Sequence, residues 1–199
     1  MGAGVSRETA DRLDAFLDEL CRWNRAINLV APSEEAALRS RHLSDSLHLL
    51  ELCPPHARNW VDLGSGGGFP GLVIAIAAAE TRPALTVTLV ESDSRKAAFL
   101  AAAARRTGVA PRILCARAET VAPLHADVVS ARAVAPLVRL LGLVERHLVP
   151  DGVALLPKGR RWRAEVDEAL ERWSFTVQNV PSRTDPAGAV LGIRGVARV

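Results

Sequence analysis

The chain has 199 residues, 49% of them hydrophobic, which suits one compact domain with a sizeable core and excludes global disorder. Its three cysteines are far apart and in no CxxC pair, which argues against a disulfide framework or a zinc site and favours a reducing compartment. Residues 1–55 carry a net charge of −3 and residues 56–199 carry +6, so the second part permits a polyanionic partner.

The first 55 residues show helical periodicity. Apolar side chains recur at helical spacing between Ser6 and about Ala26, at Leu13, Phe16, Leu17 and Leu20. A second helical stretch covers about Glu34–Leu52 and ends before Pro54-Pro55, because proline does not continue a helix. We interpret residues 1–55 as an N-terminal helical cap.

After residue 55, short apolar segments alternate with helical patterns. Strands are predicted at Trp60–Leu63, Leu85–Val90, Arg112–Cys115, Ala126–Ser130, Gly152–Leu156, Phe175–Val180 and Val190–Val199. Helices are predicted from the glycine loop to about Ala79 and at Ser94–Thr107, Ala135–His147 and Arg161–Trp173. This alternation predicts βαβ units, so residues 56–199 are expected to form a doubly wound, largely parallel α/β domain.

A glycine-rich segment joins the first predicted strand to the helix that follows it. It reads Val61-Asp62-Leu63-Gly64-Ser65-Gly66-Gly67-Gly68-Phe69-Pro70-Gly71. Glycines let a backbone turn sharply and approach a ligand closely, and the next helix presents free amides at its N-terminus. Because such loops lie at the carboxyl ends of parallel strands, the segment predicts a nucleotide-type ligand.

Two cofactors fit this segment. Gly66, Gly68 and Gly71 satisfy GxGxxG, with an acid 20 residues beyond at Glu91, which would suit an NAD(P)-dependent oxidoreductase. Alternatively, Asp62 followed by GxGxG resembles the first motif of class I methyltransferases, whose loop wraps the amino-acid part of S-adenosylmethionine and whose next acid binds the ribose. Asp62 favours the second interpretation, because a carboxylate would be repelled by a pyrophosphate and attracted by ammonium and sulfonium groups.

Seven segments together carry a wider resemblance. They are Trp23–Val30, Arg41–Leu47, Asp62–Gly71, Glu91–Lys96 with Phe99-Leu100, Arg117–Glu119, Ser130–Leu137 and Pro157–Gly159. In this order they resemble the ribosomal RNA small subunit methyltransferase G family, also called glucose-inhibited division protein B. The resemblance implies a Rossmann-like class I S-adenosylmethionine-dependent methyltransferase sheet with helices on both faces. It also implies methylation of N7 of a guanosine in the decoding region of bacterial 16S ribosomal RNA.

The resemblance also implies roles for single residues. The cofactor site would comprise Asp62, Gly64, Gly66, Gly68, Phe69, Glu91, Ala118, Glu119 and Arg132, with Glu91 on the ribose and Ala118-Glu119 beside the adenine. Arg132, His42 and Asp45 are the expected catalytic residues, and Asn28 would join His42 and Asp45 in the floor of the pocket. Asn28 and Arg132 are also expected to contact the RNA. From the residues alone, a surface ion pair is the alternative for Arg132, and a helix-start arrangement is the alternative for His42 and Asp45.

The expected chemistry needs no general base, since guanine N7 carries a lone pair and no proton; positioning and the exclusion of water would suffice. The chain lacks the Asp/Asn-Pro-Pro-aromatic segment that serves exocyclic amines, and the Pro-Cys or Thr-Cys nucleophile that serves cytosine C5. Besides the NAD(P)-dependent oxidoreductase, a catalytically silent RNA-binding relative is the second alternative to a methyltransferase.

The basic residues suggest where RNA binds. Lys158, Arg160, Arg161 and Arg163 are predicted substrate contacts, with Trp162 as a stacking surface and Arg105-Arg106 as a second cluster; a solvated helix face is the alternative for each cluster. The expected partner is small-subunit ribosomal RNA or the small subunit. With no basic-then-apolar leader and no apolar run long enough for a bilayer, a cytoplasmic location without membrane contact is expected. The protein is also expected to be a monomer and to bind no metal ion.

Overall fold

A computed structural model describes residues 5–31 and 37–199. The strands are β1 Asn59–Leu63, β2 Thr86–Glu91, β3 Arg112–Cys115, β4 Ala126–Ala131, β5 Leu148–Lys158, β6 Trp173–Pro181 and β7 Ala189–Arg198. The helices are α1 Arg7–Asn24, α2 Ser44–Glu51, α3 Gly71–Thr81, α4 Ser94–Thr107, α5 Leu137–His147 and α6 Trp162–Leu170, and a π-helical segment, Leu38–Leu43, leads directly into α2.

The strands form one mixed sheet in the order β3-β2-β1-β4-β5-β7-β6. Strands β1 to β5 are parallel, and β7 runs antiparallel to both of its neighbours. In β1, Trp60 pairs with Val87 of β2 on one side and with Val128 of β4 on the other. The chain therefore reverses its winding direction between β1 and β4, which is where doubly wound sheets bind ligands. The predicted fold class is confirmed.

Each face of the sheet is covered by its own set of helices. Residues of α1 to α4 pack with Trp60 and the other side chains of one face into a single buried cluster. Helices α5 and α6 pack on the opposite face with Val61 and Leu63. Strand residues alternate between the two clusters because successive side chains point to opposite faces. Helices α1 and α2 therefore share one continuous core with α3, α4 and the sheet.

Local chemistry explains where several elements begin and end. Ser6 caps α1 by accepting a hydrogen bond from the Thr9 amide, and Gly108, at φ 69°, ends α4 in the left-handed conformation. The predicted helix over Glu34–Leu52 appears as the π-helical segment and α2, and its residues 34–36 lie outside the described residues.

Two predicted helix boundaries are wrong. Helix α6 ends at Leu170, and Trp173 instead begins β6, where it is buried and its Nε1 donates to the Val138 carbonyl at 2.9 Å. Helix α5 begins at Leu137 rather than Ala135, because Pro136 adopts an extended ψ of 150°. Across the described residues, no helix has both the length and the apolar character needed to cross a bilayer.

Candidate cofactor and substrate cleft

A cleft of about 490 Å³ lies at the carboxyl ends of β1, β4 and β5, beside the point where the sheet reverses direction. Its walls come from the glycine loop, the helical cap, the ends of β4 and β5, and the β6–β7 loop. The lining residues are Leu29, Val30, Ala31, Arg41, His42, Asp45, Gly64, Ser65, Gly66, Gly67, Phe69, Lys96, Arg132, Ala133, Pro157, Lys158, Gly159, Ser182, Asp185, Gly188, Ala189 and Val190.

The glycine loop has a backbone conformation that few other residues adopt. Gly64, Gly66 and Gly68 have φ values of 68°, 47° and 87°. The Gly64 and Ser65 amides both donate to the Val90 carbonyl, at 2.8 and 3.1 Å, which ties the loop to the end of β2. A Cβ on Gly66 would lie 4.0 Å from Glu91 Oε2, so a longer side chain there would fill the space beside this carboxylate.

Glu91 ends β2 at the edge of the loop, where the sequence predicted a ribose-binding acid. Its side chain is buried, with Oε2 accepting a hydrogen bond from the Gly66 amide and Oε1 accepting one from the Asp93 amide, both at 2.8 Å. Each carboxylate oxygen has two lone pairs, so these bonds leave capacity for further donors.

Asp62 lies behind the loop rather than at the surface of the cleft. Its Oδ1 accepts from Ser130 Oγ at 2.6 Å, and Ser130 Oγ accepts in turn from Trp60 Nε1 at 2.8 Å. Its Oδ2 accepts from the Gly71 amide, 3.3 Å away at the start of α3. Complete burial raises the pKa of Asp62 to about 6, although hydrogen bonds, first from Ser130, and the charge of Arg132 oppose the shift.

The position of Asp62 corrects the electrostatic argument made from the sequence. The carboxylate was expected beside the cationic end of a ligand, but it is directed into the interior. A fully buried acid with hydrogen-bonded oxygens holds the loop and the start of α3 in place.

Three predicted residues from separate parts of the chain meet at one wall of the cleft. Arg132 follows β4, Phe69 belongs to the glycine loop and His42 comes from the π-helical segment. The Arg132 guanidinium carbon lies 5.3 Å from the Phe69 ring centroid, and Arg132 Nη1 contacts His42 Nδ1. The ring centroids of His42 and Phe69 are also 5.3 Å apart. The wall of the cleft therefore presents the planar, positively charged guanidinium of Arg132, which is packed over the apolar ring of Phe69.

Asp45, the remaining residue predicted to be catalytic, also lines the cleft and joins the cap to the β6–β7 loop. Its oxygens accept from Ser182 Oγ at 3.4 Å and from Thr184 Oγ1 at 2.8 Å. Neither hydroxyl was predicted from the sequence, because a polar contact between residues more than 130 positions apart leaves no local pattern.

Asn28 was predicted to line the pocket but is exposed and not among the lining residues. Asn24 instead organises this segment, since its Oδ1 accepts from the Leu29 and Val30 amides at 2.9 and 3.1 Å. The Leu29 carbonyl is so close to the glycine loop that a Cβ on Gly67 would lie 3.0 Å from it. An asparagine at the end of α1 was the signal that could have identified this role.

The predicted adenine-side residues lie outside the cleft. Glu119 lines a separate groove together with Val134, Ala135, Arg139, Gly142, Leu143 and Arg146. The Ala118 carbonyl lies 2.9 Å from Nε2 of the fully buried His147. Val134 separates the groove from the glycine loop, since a Cβ on Gly64 would lie 2.6 Å from Val134 Cγ2. The structure thus places the two predicted ends of the cofactor site in neighbouring cavities.

The predicted RNA contacts differ in their surroundings. Arg160, Arg161 and Arg163 are exposed just beyond the carboxyl end of β5, near the cleft. Lys158 lines the cleft, but its side chain is only 10% exposed and forms an ion pair with Glu165 at 2.8 Å. Trp162 is half-buried, with the Arg163 guanidinium carbon 4.4 Å from its ring centroid, so one ring surface is already covered.

The second basic cluster, Arg105-Arg106, lies at the opposite edge of the sheet. Helix α4 runs back from the carboxyl end of β2, and Gly108, directly after it, shares a groove with Thr86 at the start of β2. Two cations that belong to the family-like segments but had no predicted role, Arg41 and Lys96, line the cleft instead. Within residues 5–31 and 37–199, neither side chain has a hydrogen bond or an ion pair.

The described part of the chain contains no group of three or more His, Cys, Asp or Glu side chains arranged to hold a metal ion.

The glycine loop after β1, the acid ending β2 and the doubly wound sheet define a class I S-adenosylmethionine-dependent methyltransferase. A solved O-methyltransferase from Bacillus cereus, in complex with SAH, has the same fold: TM-score 0.58, 16% identity, 94% of this chain and 91% of that one covered. A ribosomal protein L11 methylase from Lactobacillus delbrueckii subsp. bulgaricus gives a TM-score of 0.57 and 16% identity, covering 77% and 76%.

Sequence comparison identifies the family. The family model described as rRNA small subunit methyltransferase G matches residues 9–188. A protein of Ruegeria pomeroyi named ribosomal RNA small subunit methyltransferase G is 48% identical, with 98% of this chain and 95% of that protein covered. A protein of the same name from Paramagnetospirillum magneticum is 50% identical, with 98% and 93% covered. The chain belongs to the rRNA small subunit methyltransferase G family, which confirms the resemblance found in the sequence.

Proposed function

We propose that the protein transfers a methyl group from S-adenosylmethionine to N7 of a guanosine in small-subunit ribosomal RNA. The observation that carries this proposal is the meeting of the glycine loop, Arg132, His42 and Phe69 in one cleft, in a chain of this family. The names of the relatives from Ruegeria and Paramagnetospirillum support ribosomal RNA as the substrate.

The residues at the loop fit the cofactor. The glycines leave open the space beside Glu91 that a side chain would occupy, and the Glu91 carboxylate has lone pairs for the hydroxyls of a ribose. In this proposal Asp62 holds the loop from behind, and Ala118 and Glu119 lie on the adenine side. The cofactor supplies an activated methyl group on a sulfonium, so the protein need not activate it.

The chain's own task is then to position the base. Guanine N7 has no proton to remove, so the cleft needs no general base. We assign to Arg132 the contact with the guanine, through its flat guanidinium or its hydrogen-bonding fork, with Phe69 below and His42 beside it. Asp45 holds the β6–β7 loop as the opposite wall, which helps exclude water.

Cations in and beside the cleft provide the phosphate contacts. Arg41 and Lys96 line the cleft, and Arg160, Arg161 and Arg163 extend the positive surface beyond β5. Among the described residues, none of these five side chains has an acidic partner, so each can neutralise a phosphate without first breaking an ion pair.

The same proposal places the protein in the cytoplasm, where bacterial ribosomal subunits are assembled. It also proposes that the protein is a monomer, which light scattering at micromolar concentration tests.

The first experiment tests the cofactor. Isothermal titration with S-adenosylhomocysteine should give micromolar binding by the native protein and none by Gly66→Arg, because the new side chain fills the space beside Glu91. Ala98→Arg adds the same charge on an exposed turn of α4 and should bind normally. Quenching of nicotinamide fluorescence instead, without binding of S-adenosylhomocysteine, would favour the oxidoreductase alternative.

The second experiment tests the reaction. Radiolabelled methyl transfer is measured on free 16S ribosomal RNA and on small subunits from a strain that lacks the modification. Borohydride and aniline treatment, which cleaves RNA at 7-methylguanosine, should cut the labelled product at one site. Label on another atom would contradict N7 as the target, and binding of RNA without transfer would favour the silent relative.

The third experiment tests the RNA surface. Replacing Arg160, Arg161 and Arg163 with alanine should weaken RNA binding and lower the salt slope by about 0.7 to 0.9 for each phosphate that the variant no longer neutralises. Affinity for S-adenosylhomocysteine should not change. Arg105→Ala/Arg106→Ala is the control, compared per charge removed, because these residues are also exposed but lie near the amino ends of the strands, away from the cleft. Equal decreases per charge removed in both variants would show only a general effect of charge.

A further inference from the structure

The segment between β4 and α5, residues 132–136, begins with Arg132 and has an unusual conformation. Ala133 has a positive φ of 55°, which disfavours a side chain, and Val134 is 40% exposed while it covers Gly64. Helix α5 follows at once, and its N-cap residue, Pro136, provides no side-chain hydrogen bond. Contacts from elsewhere must therefore hold this segment in place.

Two side chains, one from β5 and one from α6, supply such contacts. Lys158, the last residue of β5, donates from Nζ to the Ala135 carbonyl at 3.4 Å and to Glu165 Oε2 at 2.8 Å. The same Glu165 oxygen accepts from the Leu137 amide at 3.0 Å. Glu165 thus caps α5 from α6, and the two residues bind the backbone on both sides of Pro136.

We propose that Lys158 and Glu165 form a positioning pair that holds residues 132–136, and with them Arg132, at the wall of the cleft. The inference rests on the proposed function. It also revises the prediction that Lys158 contacts RNA, because a phosphate would have to compete with Glu165 for a side chain that is only 10% exposed. Glu165 carries no motif and was not predicted.

The pair acts through Arg132 rather than on the substrate. Without the positioning pair, the Ala135 carbonyl and the Leu137 amide lose their polar partners. Val134 can then move away from Gly64, and Arg132 can move away from Phe69. The rate of methyl transfer then falls because the base is less precisely placed. RNA binding should change little, since the phosphate contacts lie on other side chains.

Four variants separate the two roles of Glu165. Glu165→Gln keeps an acceptor for the Leu137 amide but loses the ion pair, Glu165→Ala loses both, and Lys158→Met keeps the apolar stem without the charge. Lys158→Met/Glu165→Gln removes both charges and leaves the net charge unchanged. Glu168→Gln, on an exposed position of the same helix, is the control.

The expected result is a fall in kcat of about tenfold for Lys158→Met and Glu165→Ala, and a smaller one for Glu165→Gln. The double variant should lose no more than Lys158→Met alone, because a pair that acts as a unit is lost only once. In the double variant, KM for RNA, RNA affinity and its salt slope should match the native protein.

Hydrogen exchange supplies a readout that needs no activity. The Arg139 and Leu140 amides, which donate to the Pro136 carbonyl at 3.1 Å, should exchange faster in Glu165→Ala, while amides in β1 and β4 keep their protection; unchanged exchange at Arg139 and Leu140 would overturn the proposal. A lower salt slope with unchanged kcat in Lys158→Met would show instead that Lys158 contacts phosphate. If the native protein transfers no methyl group, the proposed function fails. Amide hydrogen exchange then tests by itself whether the positioning pair holds residues 132–136.

Discussion

The glycine loop has two flanks that are built differently. On the cap side it packs against apolar groups: a Cβ on Gly68 would lie 3.0 Å from Phe16, whose ring is fully buried and 5.2 Å from that of Phe69. On the other side it meets Val134, in a segment bound by Lys158 and Glu165 through specific polar contacts.

This difference shows how the two flanks respond to change. Apolar packing is non-directional and grows with the area buried, so the cap side provides stability. Hydrogen bonds and ion pairs add little net stability but fix orientation, so the Arg132 side provides precision. Variants of the cap side should therefore act mainly on unfolding, and variants of the Arg132 side mainly on the rate of methyl transfer.

The largest expected effect on stability comes from Phe16→Ala. Truncation of this fully buried ring should lower the free energy of unfolding by about 3 to 5 kcal/mol, measured by urea denaturation. Affinity for S-adenosylhomocysteine should fall as well, because Gly68 loses its support. Phe175→Ala, at a half-buried site on the opposite face, should cost less. An equal loss of unfolding free energy in Phe16→Ala and Phe175→Ala would contradict the view that apolar packing on the cap side is a main source of stability.

An intermediate effect on stability is expected behind the glycine loop, where Asp62 is buried. Burial raises its pKa from 3.8 to about 6, so between these values the folded protein holds a proton that the unfolded chain releases. Stability from this group is thus complete below about pH 4 and is lost as pH rises through about 6. The loss is at most about 3 kcal/mol.

Comparison with Asp62→Asn isolates this effect. The unfolding free energy of the native protein minus that of the variant should decline between pH 4 and pH 7 in urea titrations. Asp18→Asn, at an exposed site on α1, controls for the loss of a charge. A difference that stays constant with pH would contradict the burial argument.

The smallest effect is expected at the outer rim, where Arg183 of the β6–β7 loop forms two hydrogen bonds with Glu51 of α2. Both side chains are 48% exposed, so Arg183→Ala should lower the unfolding free energy by no more than about 1 kcal/mol. The change should shrink further in 1 M salt, because salt screens exposed charges. A salt-independent loss well above this value would mean that polar contacts also stabilise the cap.

The fold and the glycine loop were predictable from the sequence because their signals are local. The spacing of Leu13 and Phe16 places them on one helix face, and the alternation in β1 sends Trp60 and Val61 to opposite faces. Glycines 64, 66 and 68 sit where the backbone has positive φ, which is a property of each residue alone. Motif order then identified the family, and with it Arg132, His42 and Phe69.

Only the tertiary structure decided how polar groups are paired. Asp62 looked like a ligand contact in the sequence but is buried against Ser130, 68 positions away. Lys158 looked like an RNA contact, yet its charge is bound by Glu165 on the next helix. A side chain's residue type sets what it can bind, but burial and the neighbours brought by the fold decide what it does bind. Periodicity and motifs record the first of these, and three-dimensional contacts alone determine the second.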